Sequence, residues 1–137
     1  MFTVSAKGIY GLTAMLELGM RYKRGAIQIR DIAGKHGIPQ HYLEQILVIL
    51  KKGELVESFR GAQGGYALAK APDRIHVQDV LTLLEGKLEI VPEKKQGGAL
   101  EFFWSGLHRQ IEDYLDRTLD DLIMEKRRAE EALTYSI

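Results

Sequence analysis

Residues 60–69 read Arg60-Gly61-Ala62-Gln63-Gly64-Gly65-Tyr66-Ala67-Leu68-Ala69. Chain this rich in glycine can cradle a phosphate on bare backbone amides, or it can form the tip of a β-hairpin that touches something else. A phosphate loop needs a strand before it, a helix directly after it and a Gly-Lys-Ser/Thr; a dinucleotide fingerprint needs its helix too. Here Tyr66 and Leu68 alternate instead, no helix opens until about Val77, and Gly-Lys-Ser/Thr occurs nowhere. Without a helix N-terminus to hold the anion, the stretch reads as a hairpin tip between strand-like LVESF (55–59) and YALA (66–69).

What precedes the hairpin gives it a context. Residues 5–22 place Ile9, Leu12, Leu16 and Gly19/Met20 on one stripe at helical spacing, with Ser5 able to cap. A β-prone AIQI (26–29) follows, then a helix of about two turns through Asp31, Ile32, Ala33, Lys35 and His36, closed by Gly37. Pro39 suits the first turn of the next helix, whose apolar residues recur at Leu43, Ile46, Leu47 and Leu50. Lys51, Lys52 and Gly53 are its C-terminal signals.

Two helices, a tight turn and a hairpin make the order of a winged helix-turn-helix, in which the second helix enters the major groove. Gln40, His41, Glu44 and Gln45 lie opposite that helix's apolar face. Gln can pair with adenine and Glu can accept from cytosine; alternatively all four are solvated face residues. Lys51 and Lys52 suit phosphate contacts or none. Glycines at the hairpin tip allow close approach to DNA, and Arg60 suits a narrow minor groove.

Downstream, Val77, Val80, Leu81 and Leu84 define a further helix, with His76 at its N-cap position and Asp79 three residues on. Residues 86–99 read as a linker. Leu100, Trp104, Leu107, Ile111, Tyr114 and Thr118 then step by fours and threes, broadened by Phe103 and Leu115, in a short coiled-coil register. Thr118 and Asp121 form a capping box for a last helix through Leu119, Leu122 and Ile123, with a charged tail fraying from Glu125. The expected organisation is a DNA-binding domain over 1–85, the linker over 86–99, and dimerisation and C-terminal helices over 100–137. The stripe on the long helix is either an intramolecular core face or a dimer seam. With the winged helix complete by Leu84, little is left to cover it, so a homodimer is expected.

Composition narrows the chemistry. The 137 residues include no cysteine, which excludes disulfides, thiolate metal sites and cysteine nucleophiles. Net charge is zero, but 1–75 carry 11 Lys/Arg against 6 Asp/Glu (+5), while 76–137 carry 8 against 13 (−5). A basic front half points to a polyanionic partner. The most apolar run, residues 12–20, is interrupted by Glu17 and too short to span a bilayer. A soluble cytoplasmic protein with no membrane contact is expected. Residues for an enzyme are missing: His36, His41, His76 and His108 are scattered, and no Ser/His/Asp spacing or paired carboxylates appear on one element.

The segments SAKGIYGL (5–12), YLEQIL (42–47), GELV (53–56) and RGAQGGY (60–66) resemble the Rrf2 family of bacterial winged-helix transcription regulators. The Trp104 helix and TLDDL (118–122) are similar to that family's dimerisation region, so the likeness spans nearly the whole chain. The resemblance implies a mainly α fold with a small β-hairpin, a winged helix-turn-helix followed by a long dimerisation helix. It implies a homodimeric repressor on a roughly palindromic double-stranded operator. It carries base-reading roles onto His41, Glu44 and Gln45, a minor-groove role onto Arg60, and phosphate contacts onto Ser5, Lys7 and Tyr10. The remaining DNA-facing candidates are Gln40, Tyr42, Gly61, Gln63, Gly64, Gly65 and Tyr66. Cluster-binding members hold three cysteines between the fourth helix and the long helix; residues 86–106 have none, and His108 cannot hold a cluster alone. No cofactor or metal is expected. The cysteine-free branch, to which this chain is similar, answers to a partner metabolic enzyme or another effector. The reading from a different class is a winged-helix protein-interaction module that reads no DNA.

Overall fold

The computed structural model describes residues 3–136, with side chains through Thr134. Its elements are α1 (Ala6–Met20), α2 (Ile29–His36), α3 (Gln40–Lys52), β1 (Val56–Phe59), β2 (Gly65–Leu68), α4 (Val77–Glu85), α5 (Glu101–Leu115) and α6 (Leu119–Ser136). This is the mainly α fold with one hairpin that the sequence predicts. None of the described helices is long and apolar enough to cross a membrane.

The core forms where the periodicity of α3 places it. Leu43, Ile46, Leu47 and Leu50 are fully buried, each burial contributing about 1.5–3 kcal/mol. They meet Ile32 and Ala33 of α2, Ala14, Met15 and Leu18 of α1, Val80 and Leu84 of α4, and Val56 and Leu68 of the hairpin. β1 and β2 pair antiparallel with Val56 opposite Leu68 and Phe59 opposite Gly65. Ile27 adds a third edge: its N–H donates to the Tyr66 carbonyl and the Tyr66 N–H donates back, both at 2.8 Å. The wing is thereby fastened to the chain entering α2.

Two expectations require correction. The buried face of α1 is not the Ile9 stripe: Ile9 is exposed, and Leu12, Leu16 and Met20 are only half-buried. The inward side carries Gly8, Gly11, Ala14, Met15, Leu18 and Gly19. Small residues let neighbours close in, since a Cβ on Gly11 would stand 2.1 Å from Leu84 Cδ1 and one on Gly19 2.9 Å from Ile123 Cδ1. Gly53 does end α3, at φ −80°, and the left-handed residue follows it at Glu54, φ 63°. Gly53 also leaves room for Leu83, whose Cδ2 a Cβ would meet at 2.3 Å. The tail beyond Glu125 is helical to Ser136, as befits a run of strong helix formers with a Lys126–Glu130 ion pair one turn apart.

α6 packs back on the first half of the molecule. The Thr118–Asp121 capping box forms, with Asp121 N–H donating to Thr118 Oγ1 at 3.1 Å and Thr118 N–H to Asp121 Oδ2 at 2.9 Å. Leu119 N–H donates to the Ile75 carbonyl at 2.8 Å. Leu119 and Ile123 are buried in the same core as α1 and α3. Helix α5 differs from every other long helix: none of its residues is buried.

Candidate nucleic-acid interface

The inward face of α3 fixes its outward one. Because Leu43, Ile46, Leu47 and Leu50 point into the core, Gln40, His41, Glu44 and Gln45 are all exposed on the other side. Three of them are also tied to each other: Gln45 Nε2 lies 3.4 Å from His41 Nε2, and His41 Nδ1 lies 3.8 Å from Glu44 Oε2. Val48, 44% exposed, extends this face one turn further. It escaped the sequence reading because an apolar residue beside Leu47 counts naturally toward the core. Its spacing from His41, Glu44 and Gln45 (i+7, i+4 and i+3) was the available signal.

Tyr42 stands apart from this polar set. It is half-buried and meets Tyr10 of α1 edge-on, ring centroids 5.8 Å apart at 85°. The two tyrosines thus join α1 to the start of α3. Lys51 is not a free cation, for its Nζ donates to Ser58 Oγ of β1 at 2.6 Å. Lys52 is exposed.

In the wing, loop 60–64 presents exposed Arg60, Gly61, Ala62 and Gln63. Arg60 makes no hydrogen bond or ion pair with any described residue. The glycines divide by role. A Cβ on Gly64 would lie 2.4 Å from the Phe59 carbonyl oxygen, and one on Gly65 2.3 Å from that of Ile27. Those two are needed inside the hairpin. Gly61, at φ +97° with open space around it, is the tip glycine that leaves an outside surface uncovered. Tyr66 is a half-buried anchor, fastened by its backbone to Ile27. Gln28, at the start of α2, donates from Nε2 to the Ala62 carbonyl at 3.4 Å, a wing contact the sequence did not suggest.

The start of α1 holds a second unforeseen partner. Glu85, at the end of α4, accepts through Oε1 from Ser5 N–H at 3.1 Å, from Gly8 N–H at 2.9 Å and from Ser5 Oγ. The Ser5 hydroxyl, with these bonds in part donated by the backbone, holds the Glu85 carboxyl below the usual carboxylate range. Ser5 occupies the N-cap position but makes no cap bond of its own. Deeper in α1, Glu17 is 7% exposed and pairs with Lys35 Nζ at 3.0 Å and His36 Nε2 at 3.4 Å. Burial raises its pKa, but these two partners outweigh it and hold the carboxyl low.

A helix-turn-helix fastened to a wing, with one exposed polar face on its second helix and an unengaged arginine on the wing, defines a DNA-binding transcription regulator. Residues 4–125 match the Rrf2 family, described as an iron-dependent transcriptional regulator. The chain is 35% identical to the HTH-type transcriptional regulator CymR of Bacillus subtilis strain 168, over 98% of this chain and 99% of that protein. It is 36% identical to the HTH-type transcriptional regulator IscR of Erwinia tasmaniensis, over 88% of this chain and 78% of that one. Among solved structures, B. subtilis CymR, the global cysteine regulator, superposes with a TM-score of 0.80 at 36% identity, covering 91% of this chain and 98% of that one. T. potens IscR gives a TM-score of 0.80 at 37% identity, covering 93% and 90%. The chain belongs to the Rrf2 family. It is a helix-turn-helix transcription regulator and not an enzyme.

An iron–sulfur cluster does not fit the residues present. The chain has no cysteine, and among the described residues no three His, Asp or Glu side chains converge on one point. Beside α5, Glu89 accepts from Glu93 N–H, Glu101 accepts from Gly97 N–H and Ser105 Oγ, and His108 faces Glu112 at 3.3 Å. These bonds tie together the linker, its junction with α5 and successive turns of α5.

Proposed function

We propose that the chain acts as a homodimer whose two α3 helices and wings read a roughly palindromic DNA operator, repressing transcription without an iron–sulfur cluster. The observation that carries this reading is the single exposed polar face of α3, built on a helix whose opposite face is wholly buried. Glu44 and Gln45 present hydrogen-bonding groups to base edges, and Val48 offers an apolar contact suited to a thymine methyl. Arg60 enters the minor groove, and Lys7 with Lys52 of α3 serves the phosphates. Ser5, Gln40, His41, Gln63 and Gly61 border the same surface, while Tyr10, Tyr42, Gly64, Gly65 and Tyr66 hold its shape.

The dimer follows from α5. Leu100, Phe102, Phe103, Trp104 and Tyr114 are exposed, Phe102 at 76%, and Leu107 and Ile111 are half-buried. A second copy brings the same face and closes the assembly by two-fold symmetry. A partner enzyme or small effector adjusts the dimer in the cytoplasm. Selection of bound fragments from genomic DNA, followed by fluorescence anisotropy across a salt series, tests the reading. A salt-steep complex with selected duplexes is expected; no salt-sensitive complex with any fragment contradicts it and favours a protein-interaction module.

A further inference from the structure

The start of α1 is where the DNA backbone is expected to touch this helix, yet its best donors are already taken. Glu85 Oε1 receives the Ser5 N–H, the Ser5 hydroxyl and the Gly8 N–H. Gly8 makes the arrangement sterically possible, because a Cβ there would stand 2.5 Å from Glu85 Oε1. Glu85 is thus a carboxylate placed where a phosphate oxygen would sit, at the positive end of a helix dipole. It also attracts the Lys7 ammonium, which adds to its acidity after the hydrogen bonds.

Resting on the DNA-binding reading, we infer that Glu85 is an internal phosphate mimic that restrains DNA affinity by occupying the α1 donors. While it is latched, Ser5 cannot donate to DNA and Lys7 is drawn toward a protein anion. When it is released, the same groups turn to the DNA backbone. The latch has a natural handle. Glu85 is the last residue of α4, and the segment that follows it, 86–90, lines a groove of about 440 Å³ with Ile111 and Leu115 of α5. Movement of that segment pulls on Glu85 directly. The start of α1 is in turn joined to the recognition helix, because Tyr10 packs edge-on against Tyr42.

The test measures affinity of the full chain for one duplex, chosen by selection from a random-sequence library, and scores it per folded molecule by circular dichroism. Glu85→Gln keeps the side chain's size and an acceptor oxygen but removes the charge, and neutral hydrogen bonds are about half as strong as charge-assisted ones. Expected is binding about three- to tenfold tighter than wild type, with a salt slope steeper by about one per protomer as Lys7 is freed to neutralise a phosphate. Glu85→Asp, one methylene short of the three donors, should also tighten binding. Ser5→Ala is read only in combination, since alone it removes both a bond of the latch and a donor to the phosphates. Combined with Glu85→Gln it should remove part of the gain, an interaction that a purely structural role for Glu85 would not produce. Equal or weaker binding by both Glu85→Gln and Glu85→Asp overturns the inference. Arg60→Ala is the control: if wild type binds and Arg60→Ala weakens it while Glu85→Gln gains nothing, only the latch fails. If wild type binds no duplex, the DNA-binding reading itself fails.

Discussion

Helices α3 and α5 are both amphipathic and of similar length, 13 and 15 residues, but they stand in opposite conditions. Leu43, Ile46, Leu47 and Leu50 of α3 are fully covered by α1, α2, α4 and the hairpin. Those of α5 lie against α4 on one side, and its aromatics face outward, with Phe103 set edge-on against Trp104 at 4.9 Å. An apolar stripe thus says that a face must be covered and says nothing of what covers it. For α3 the cover lies within one chain, so its polar face is free to read a partner. For α5 the cover we propose is a second copy of the chain.

The comparison breaks most visibly at its buried end. Leu47→Ala empties a fully enclosed site and should cost about 2–5 kcal/mol in thermal or denaturant unfolding. If the loss were under 1 kcal/mol, α3 would not be the keystone described. Gly65→Ala drives a Cβ into the Ile27 carbonyl at φ +136° and should destabilise the wing by about 1–3 kcal/mol. Hydrogen exchange at the Ile27–Tyr66 amide pair would rise before the rest of the core. Thr118→Ala removes half of the α6 capping box and should cost about 1 kcal/mol. Paired Phe103→Asp and Trp104→Asp, on exposed positions, should leave circular dichroism native. In light scattering they should lower the mass from twice the 15.5 kDa chain to the chain itself. A wild-type monomer at micromolar concentration would remove the contrast between α3 and α5.

Acid sharpens the buried side of the comparison. The folded-state pKa of Glu17 lies below its unfolded value. Its pairing with Lys35 and His36 therefore stabilises above the unfolded value, and that contribution is lost as pH falls through the folded one. Glu17→Gln should flatten the acid limb of a stability-against-pH curve and leave its alkaline side unchanged in shape. An identical acid limb in the variant would show that Glu17 is not the group responsible.

Much of this was legible in the sequence because it was written in local signals. The i, i+3, i+4 spacing of α3, the alternation after Gly65 and the Thr118–Asp121 box each act within a few residues, and each forms. The face of α1 was not legible, because Gly8, Gly11 and Gly19 carry no hydropathy and gain meaning only when Glu85, Leu84 and Ile123 arrive from distant chain. The Ser5–Glu85 contact spans 80 positions, beyond any local pattern. Composition alone suggests that the wing glycines leave room for DNA, whereas Gly64 and Gly65 make room for the hairpin's own backbone and for Ile27.

The central claim is that the exposed face of α3 and the wing arginine read DNA. The direct measurement is the affinity of Glu44→Ala, Gln45→Ala and Arg60→Ala for a selected duplex and for a scrambled one, at matched salt. Each substitution at a base contact should weaken the selected complex by about 1–3 kcal/mol and narrow its margin over the scrambled duplex. Unchanged affinity and unchanged margin in all three variants would contradict the account.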